Sequence, residues 1–193
     1  RSSCALPYEL YVDGILSDDK NSFEISMKAG NDFFGDSSAG SPFQVYAPGK
    51  YGDDEMRSWD YTVAAGDELK DHWRITDFAN EYYHLRVYGP NGFFREFSGN
   101  KKDAAVDVKL KYEEKNKKPT GKIILQITNN DKRSQTITIA DNSYKTGKKE
   151  QLLVAGSSKN VLFDTSKSFG WYDVSVKLKG NSSSEKRYAG RVE

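Results

Sequence analysis

Cysteine is almost missing from this chain. Cys4 is the single one in 193 residues, so no disulfide can form within the chain, and its terminal position with no neighbouring histidine argues against a thiol nucleophile. Histidine is nearly as scarce. His72 and His84 stand in no recognisable catalytic frame, which leaves little from which to build a Ser-His-Asp hydrolase or a histidine-ligated metal centre. His84 shares the outward parity of its strand, and His72 beside Trp73 is expected to be partly buried and hydrogen-bonded. No apolar run approaches the roughly 20 residues of a membrane-spanning helix. The opening Arg1-Ser2-Ser3-Cys4 lacks the apolar segment of a signal peptide, so the expectation is a cytoplasmic protein or a piece of a longer one. No window shows convincing 3.6-residue periodicity, and few or no helices are expected.

Binding motifs are also sparse. Asp18-Asp19 and Asp53-Asp54-Glu55 lack the alternating ligands, central glycine and distal glutamate of an EF-hand loop. Gly89-Pro90-Asn91-Gly92 lacks both the Lys-Ser/Thr pair of a phosphate loop and a following helix, and reads as a hairpin turn. Net charge is +1, and the basic half has no aromatic platform motif, so neither a cofactor nor nucleic acid is expected as a ligand. Asn181-Ser182-Ser183 is a glycosylation sequon that matters only on a eukaryotic secretory route.

What the chain does have is aromatic residues, at 13%, and strict two-residue alternation. Tyr83, Leu85 and Val87 alternate with His84, Arg86 and Tyr88, and Tyr172, Val174, Val176 and Leu178 alternate with Asp173, Ser175 and Lys177. Such runs have one buried and one exposed face. Each is followed by a Gly-containing turn and a second strand bearing a basic residue, an aromatic and a glycine: Arg95, Phe97, Gly99 and Arg187, Tyr188, Gly190. Tyr61 to Gly66 likewise has a counterpart in Gln151 to Gly156. The offset is roughly 90 residues, the size of a small sandwich domain. The chain therefore reads as all-β, two tandem immunoglobulin-like β-sandwich domains of about seven strands each, covering 1–101 and 102–193 with Lys101-Lys102 at the junction. In the first copy a strand from Leu6 should end in a turn at Asp13-Gly14. In the second, Glu113 to Gly121 should form a hairpin tip.

Charge divides along the same line. Residues 1–100 hold 9 basic against 17 acidic residues, and residues 101–193 hold 20 against 11. Opposite charge could dock the halves or turn the second toward an anionic surface, although solvent-facing lysines that keep strands soluble are the simpler reading. One contact surface is suggested by adjacent Phe93 and Phe94: alternation should turn one of them outward, near Tyr88 and Arg95, where it could stack on sugar, enter a lipid interface or pack on another domain.

At these residues a resemblance becomes specific. Leu85 to Phe97, together with Leu6-Pro7-Tyr8-Glu9-Leu10, Gly170 to Val176 and Ala189 to Glu193, resembles the C-terminal region of bacterial phosphocholine-specific phospholipases C. That region carries one domain twice in tandem. The resemblance implies a parent whose N-terminal, metal-dependent, phosphatase-like catalytic domain hydrolyses phosphatidylcholine or sphingomyelin to phosphocholine. It also implies that no catalytic residue lies in this chain, that its partners are that catalytic domain and a phospholipid surface, and that the parent is secreted or periplasmic. The competing expectation is a carbohydrate-binding or adhesion β-sandwich.

Overall fold

The computed structural model describes residues 6–144, 147–181 and 183–192; Cys4 and the sequon's Ser182 lie outside them. The described residues form fourteen strands joined by loops and short 3-10 turns, with no α-helix among them. The first seven strands are β1 (Leu10–Leu16), β2 (Ser22–Ala29), β3 (Ser41–Ala47), β4 (Arg57–Val63), β5 (Glu68–Arg74), β6 (Tyr82–Tyr88) and β7 (Phe94–Asn100). The last seven are β8 (Val106–Lys115), β9 (Lys118–Asn129), β10 (Gln135–Asp141), β11 (Lys148–Leu153), β12 (Ser158–Asp164), β13 (Trp171–Leu178) and β14 (Glu185–Arg191).

Sheet order repeats the duplication. One three-stranded sheet runs β1-β2-β5 and another β12-β9-β8, while an eight-stranded sheet runs β11-β10-β13-β14-β7-β6-β3-β4. Each set of seven is a three-on-four sandwich. The two four-stranded halves are joined where β7 pairs antiparallel with β14, from Phe94↔Ala189 to Ser98↔Glu185. Both small sheets cover the same face of the large one: Phe23 of β2 stacks on Tyr83 at 4.4 Å and meets Phe97, and Tyr188, 6.1 Å from Phe97, donates its hydroxyl proton to the Val108 carbonyl of β8. Alternating residues of both faces, such as Phe23, Ile25, Leu85, Phe97, Ile123, Leu125, Ile137 and Tyr188, form one continuous buried core.

Local departures from the expected pattern have packing causes. Asp13-Gly14 is not a turn. Gly14 stays inside β1 because the rings of Phe23 and Phe97 fill the space a Cβ would occupy, and the chain reverses at Ser17–Ser22, where Lys20 adopts φ 59°. The second-copy hairpin is also tighter than expected. Its strands pair out to Lys115↔Lys118, past a bulge at Tyr112/Glu114, and only Asn116 and Lys117, both at positive φ, form the turn. His72 faces solvent rather than the interior, because the larger apolar Trp73 takes the core side of β5.

Candidate interaction surfaces

The outer face of the large sheet is polar along its central seam. Cross-strand register places Tyr46, Arg86, Glu96, Arg187 and Ser175 in one row running from β3 to β13. Glu96 accepts hydrogen bonds from His84 Nε2 and Arg86 Nε at 2.7 Å each and lies 3.8 Å from Arg187. Arg187 turns its Nε and Nη2 onto the two Asp173 oxygens, each at 2.8 Å, and Asn142 and Ser143 donate to the same carboxylate. The hydrogen bond from His84, reinforced by Arg86, outweighs burial and holds Glu96 at about 2. Burial pushes Asp173 upward, but the bonds from Arg187, Asn142 and Ser143 win and hold it at about 2 as well. These groups are mutually satisfied and form a rigid face rather than a reactive one.

Beneath the seam, on the inner face, lies Arg95. It is 1% exposed and donates to the carbonyls of Phe94 and Ala189 and to the Tyr172 hydroxyl, while its Nε makes no hydrogen bond. The guanidinium sits 3.9 Å from the Phe93 ring centroid and also faces Tyr188 and Tyr172. Arg95 and Phe93, which is 5% exposed, are therefore interior and present no surface. Alternation turns one of the adjacent pair Phe93-Phe94 outward, and that one is Phe94; Phe93 and Arg95 share the inward parity of Phe97, and the rings of Tyr172 and Tyr188 from the other copy close over the guanidinium. Of the four expected contact residues, Tyr88 (41% exposed) and half-buried Phe94 remain on the outer face, with ring centroids 5.2 Å apart.

The structure brings a further pair to that end of the molecule. Trp171 of β13 rests on the Pro90–Gly92 turn, where a Cβ on Gly92 would be 3.0 Å from its ring, and Arg191 lies over the ring at 6.0 Å from its centroid. Beside it Phe169 is 82% exposed. Sequence reasoning passed over Phe169. Its signal was available in the duplication, since the equivalent position of the first copy, 89 residues earlier, holds Asn80.

Between β1 and β8, the facing edges of the small sheets, runs a cleft of about 500 Å³. No ladder crosses it; side chains close the edges instead. Tyr112 Oη donates to the Leu10 carbonyl at 3.2 Å, and Lys186 Nζ donates to the Gly14 carbonyl at 2.8 Å. Burial lowers the Lys186 ammonium, against the pull of Asp107 and Asp13. Tyr11 and Tyr112 form the aromatic part of the wall, 5.4 Å apart, with Lys28 over Tyr11. Burial and then the Glu9 carboxylate push the Tyr11 hydroxyl upward. Carboxylates and lysines interleave along this cleft, and among the described residues no three His, Cys, Asp or Glu side chains converge as a metal-binding set. Asp53-Asp54-Glu55 is an exposed turn in which Asp54 meets Arg57, and Asp19 accepts from Ser17 and Asn21.

The geometry defines a class: a duplicated, fused β-sandwich whose polar groups pair with one another and whose free features are aromatic surface and a cleft. The chain belongs to the family described as "Bacterial phospholipase C, C-terminal domain", whose model matches it twice, over residues 2–100 and 106–191. It is 32% identical over 202 residues to the non-hemolytic phospholipase C of Pseudomonas aeruginosa, covering all of this chain and 27% of that protein. With the non-hemolytic phospholipase C of Burkholderia pseudomallei it shares 31% over 198 residues, 26% of that protein. A hemolytic phospholipase C of Pseudomonas aeruginosa is 30% identical over 214 residues, 28% of its length. The chain thus spans about a quarter of the length of the curated relatives it matches.

Proposed function

We propose that this chain is the non-catalytic accessory part of an exported bacterial phospholipase C. It packs on the N-terminal catalytic region of the same protein and presents a surface to phospholipid. The observation that supports this most directly is the double match of the C-terminal-domain family to nearly the whole chain, set against relatives that are almost four times longer. In this reading residues 1–101 and 102–193 are two copies of one sandwich that act as a single platform. The continuous eight-stranded sheet supports that, since the halves cannot move apart without breaking the β7–β14 ladder. The parent cleaves a phosphocholine lipid such as phosphatidylcholine or sphingomyelin, and Tyr88 and Phe94 belong to the surface that faces outward.

The test is direct. Purified 193-residue chain should release no phosphocholine from phosphatidylcholine vesicles, and should associate with the separately produced N-terminal remainder of a matching phospholipase C, raising its melting temperature. Release of phosphocholine by the chain alone would overturn the accessory reading. Failure to associate with that remainder, combined with selective binding to a glycan array, would replace it with a carbohydrate-binding module.

A further inference from the structure

Phe169 combines two features that proteins ordinarily avoid. Its side chain is 82% exposed, and its backbone is left-handed at φ 55° and ψ 38°. For a bulky side chain the left-handed region is strained, whereas asparagine tolerates it through its short polar group. The first copy makes the same turn with Asn80 at φ 56° and ψ 24°. The turn itself therefore does not need phenylalanine; the second copy retains the geometry and adds an exposed ring. Strain of this kind, held by surrounding structure, points toward a role for the residue that bears it.

The surrounding structure does hold it. Ser168 and Gly170 donate their N–H groups to the Thr165 carbonyl, Val192 N–H donates to the Gly170 carbonyl, and Arg191 Nε donates to Phe169's own carbonyl at 3.2 Å. Two residues further along the chain stands Trp171, 38% exposed and resting on the Pro90–Gly92 turn, and across β14 from it Phe94 and Tyr88 lie on the same outer face. The same end of the molecule carries exposed cations. Thr165 is hydrogen-bonded to the Gly121 carbonyl, Lys122 pairs in register with Asp164, and the β8–β9 hairpin that springs from there exposes Lys115, Lys117 and Lys118 at its tip. Exposed Lys167 and Arg191 add to these cations, which stand among the carboxylates Glu113, Glu114, Asp141 and Asp164. An exposed aromatic group rimmed by lysine and arginine is the chemistry that seats a protein in the headgroup layer of a bilayer.

We infer that Phe169 and Trp171, flanked by Tyr88 and Phe94 and rimmed by Lys115, Lys117, Lys118 and Arg191, form an anchor that sets this end of the molecule into a phospholipid surface. This rests on the phospholipase reading above and assigns it a particular contact. The test is co-sedimentation of the 193-residue chain with phosphatidylcholine vesicles, with and without phosphatidylglycerol, at low and high salt. The wild-type chain should pellet, more strongly with the anionic lipid, and should lose that increment at high salt. Phe169→Asn restores the residue of the first copy, so its melting temperature should equal or exceed wild type, while vesicle affinity falls by about tenfold or more, as expected for an apolar side chain that no longer leaves water. Leu152→Asn, at another exposed apolar residue, should bind as wild type. Equal binding of Phe169→Asn and wild type, or no binding of wild type to either vesicle, would overturn the anchor. If vesicles do not bind but Phe169→Asn weakens association with the N-terminal remainder, the patch is a protein interface: the anchor falls and the accessory role stands.

Discussion

Tyr83 lies directly opposite Gly99 in the β6–β7 ladder, and Tyr172 directly opposite Gly190 in β13–β14. In each pair the tyrosine lies over its glycine: a Cβ would stand 2.5 Å from the Tyr83 hydroxyl at Gly99 and 2.8 Å from the Tyr172 hydroxyl at Gly190. The repeated glycine is thus a packing requirement rather than a turn. Gly190→Ala should destabilise the protein by about 1–3 kcal/mol in urea unfolding, because the ring has to move within a filled core. Arg95 tests a different cost. Arg95→Ala removes donors from the Phe94 and Ala189 carbonyls and opens a cavity among three rings, so a loss of about 3–5 kcal/mol is expected. Arg95→Met keeps most of the volume and drops a buried charge that has no carboxylate within ion-pair distance among the described residues. It should cost clearly less than the alanine variant in the same urea titration.

At the scale of elements, the β7–β14 seam is arranged about a local pseudo-two-fold between Glu96 and Arg187, which face each other in register. On either side Arg95 faces Tyr188 and Phe97 faces Lys186; with Phe97 equivalent to Tyr188, the counterpart of Arg95 is Lys186 rather than Arg187, and equivalent positions of the two copies exchange places across the seam. Two identical strands would oppose like with like at the centre; here an acid meets a base. The two ion pairs of Arg187 differ in geometry: the contact to Asp173 is bidentate at 2.8 Å, and that to Glu96 is a single approach at 3.8 Å. Double-mutant cycles should therefore give a coupling of about 1–2 kcal/mol for Asp173–Arg187 and less than about 1 kcal/mol for Glu96–Arg187. Despite the opposite charge of the halves, this is the only ion pair among the described residues that joins 6–100 to 106–192. Opposite charge therefore does little to dock the halves on each other.

For the molecule as a whole, the seam decides whether either half can stand alone. Separating residues 1–101 from 102–193 would bare β7 and β14 as edge strands and expose Phe97, Tyr188 and the buried Arg95. Each half expressed alone should self-associate in size-exclusion chromatography, and mixing them should restore a one-to-one complex. Acid should loosen the same seam. Glu96 and Asp173 are held near 2 in the folded protein, below roughly 4.3 and 3.9 in an unfolded chain. Their contribution is present above those unfolded values and is lost as pH falls toward 2. The melting temperature should decline from about pH 4.5 to pH 2, and the decline should be shallower in Glu96→Gln, which has one titrating carboxylate fewer.

Strand positions, the duplication and the content of about seven strands per half were legible in the residues, because two-residue alternation and a 90-residue echo are local properties that need no partner to be seen. The family resemblance rested on the same runs. Alternation gives each strand two faces but does not say which strands become neighbours, and the errors follow from that. Phe93 and Arg95 share the inward parity of Phe97, but that Tyr172 and Tyr188 of the other copy cover the guanidinium is visible only in the folded chain. At His72-Trp73 the interior takes the larger apolar side chain, and the exposure of Phe169 comes with a left-handed turn, shared with Asn80, that no alternation marks. The sequence by itself determined two β-rich copies and their family. Only the tertiary structure decided that they share one sheet, and which aromatic rings that sheet leaves in water, because those outcomes depend on contacts between residues far apart in the chain.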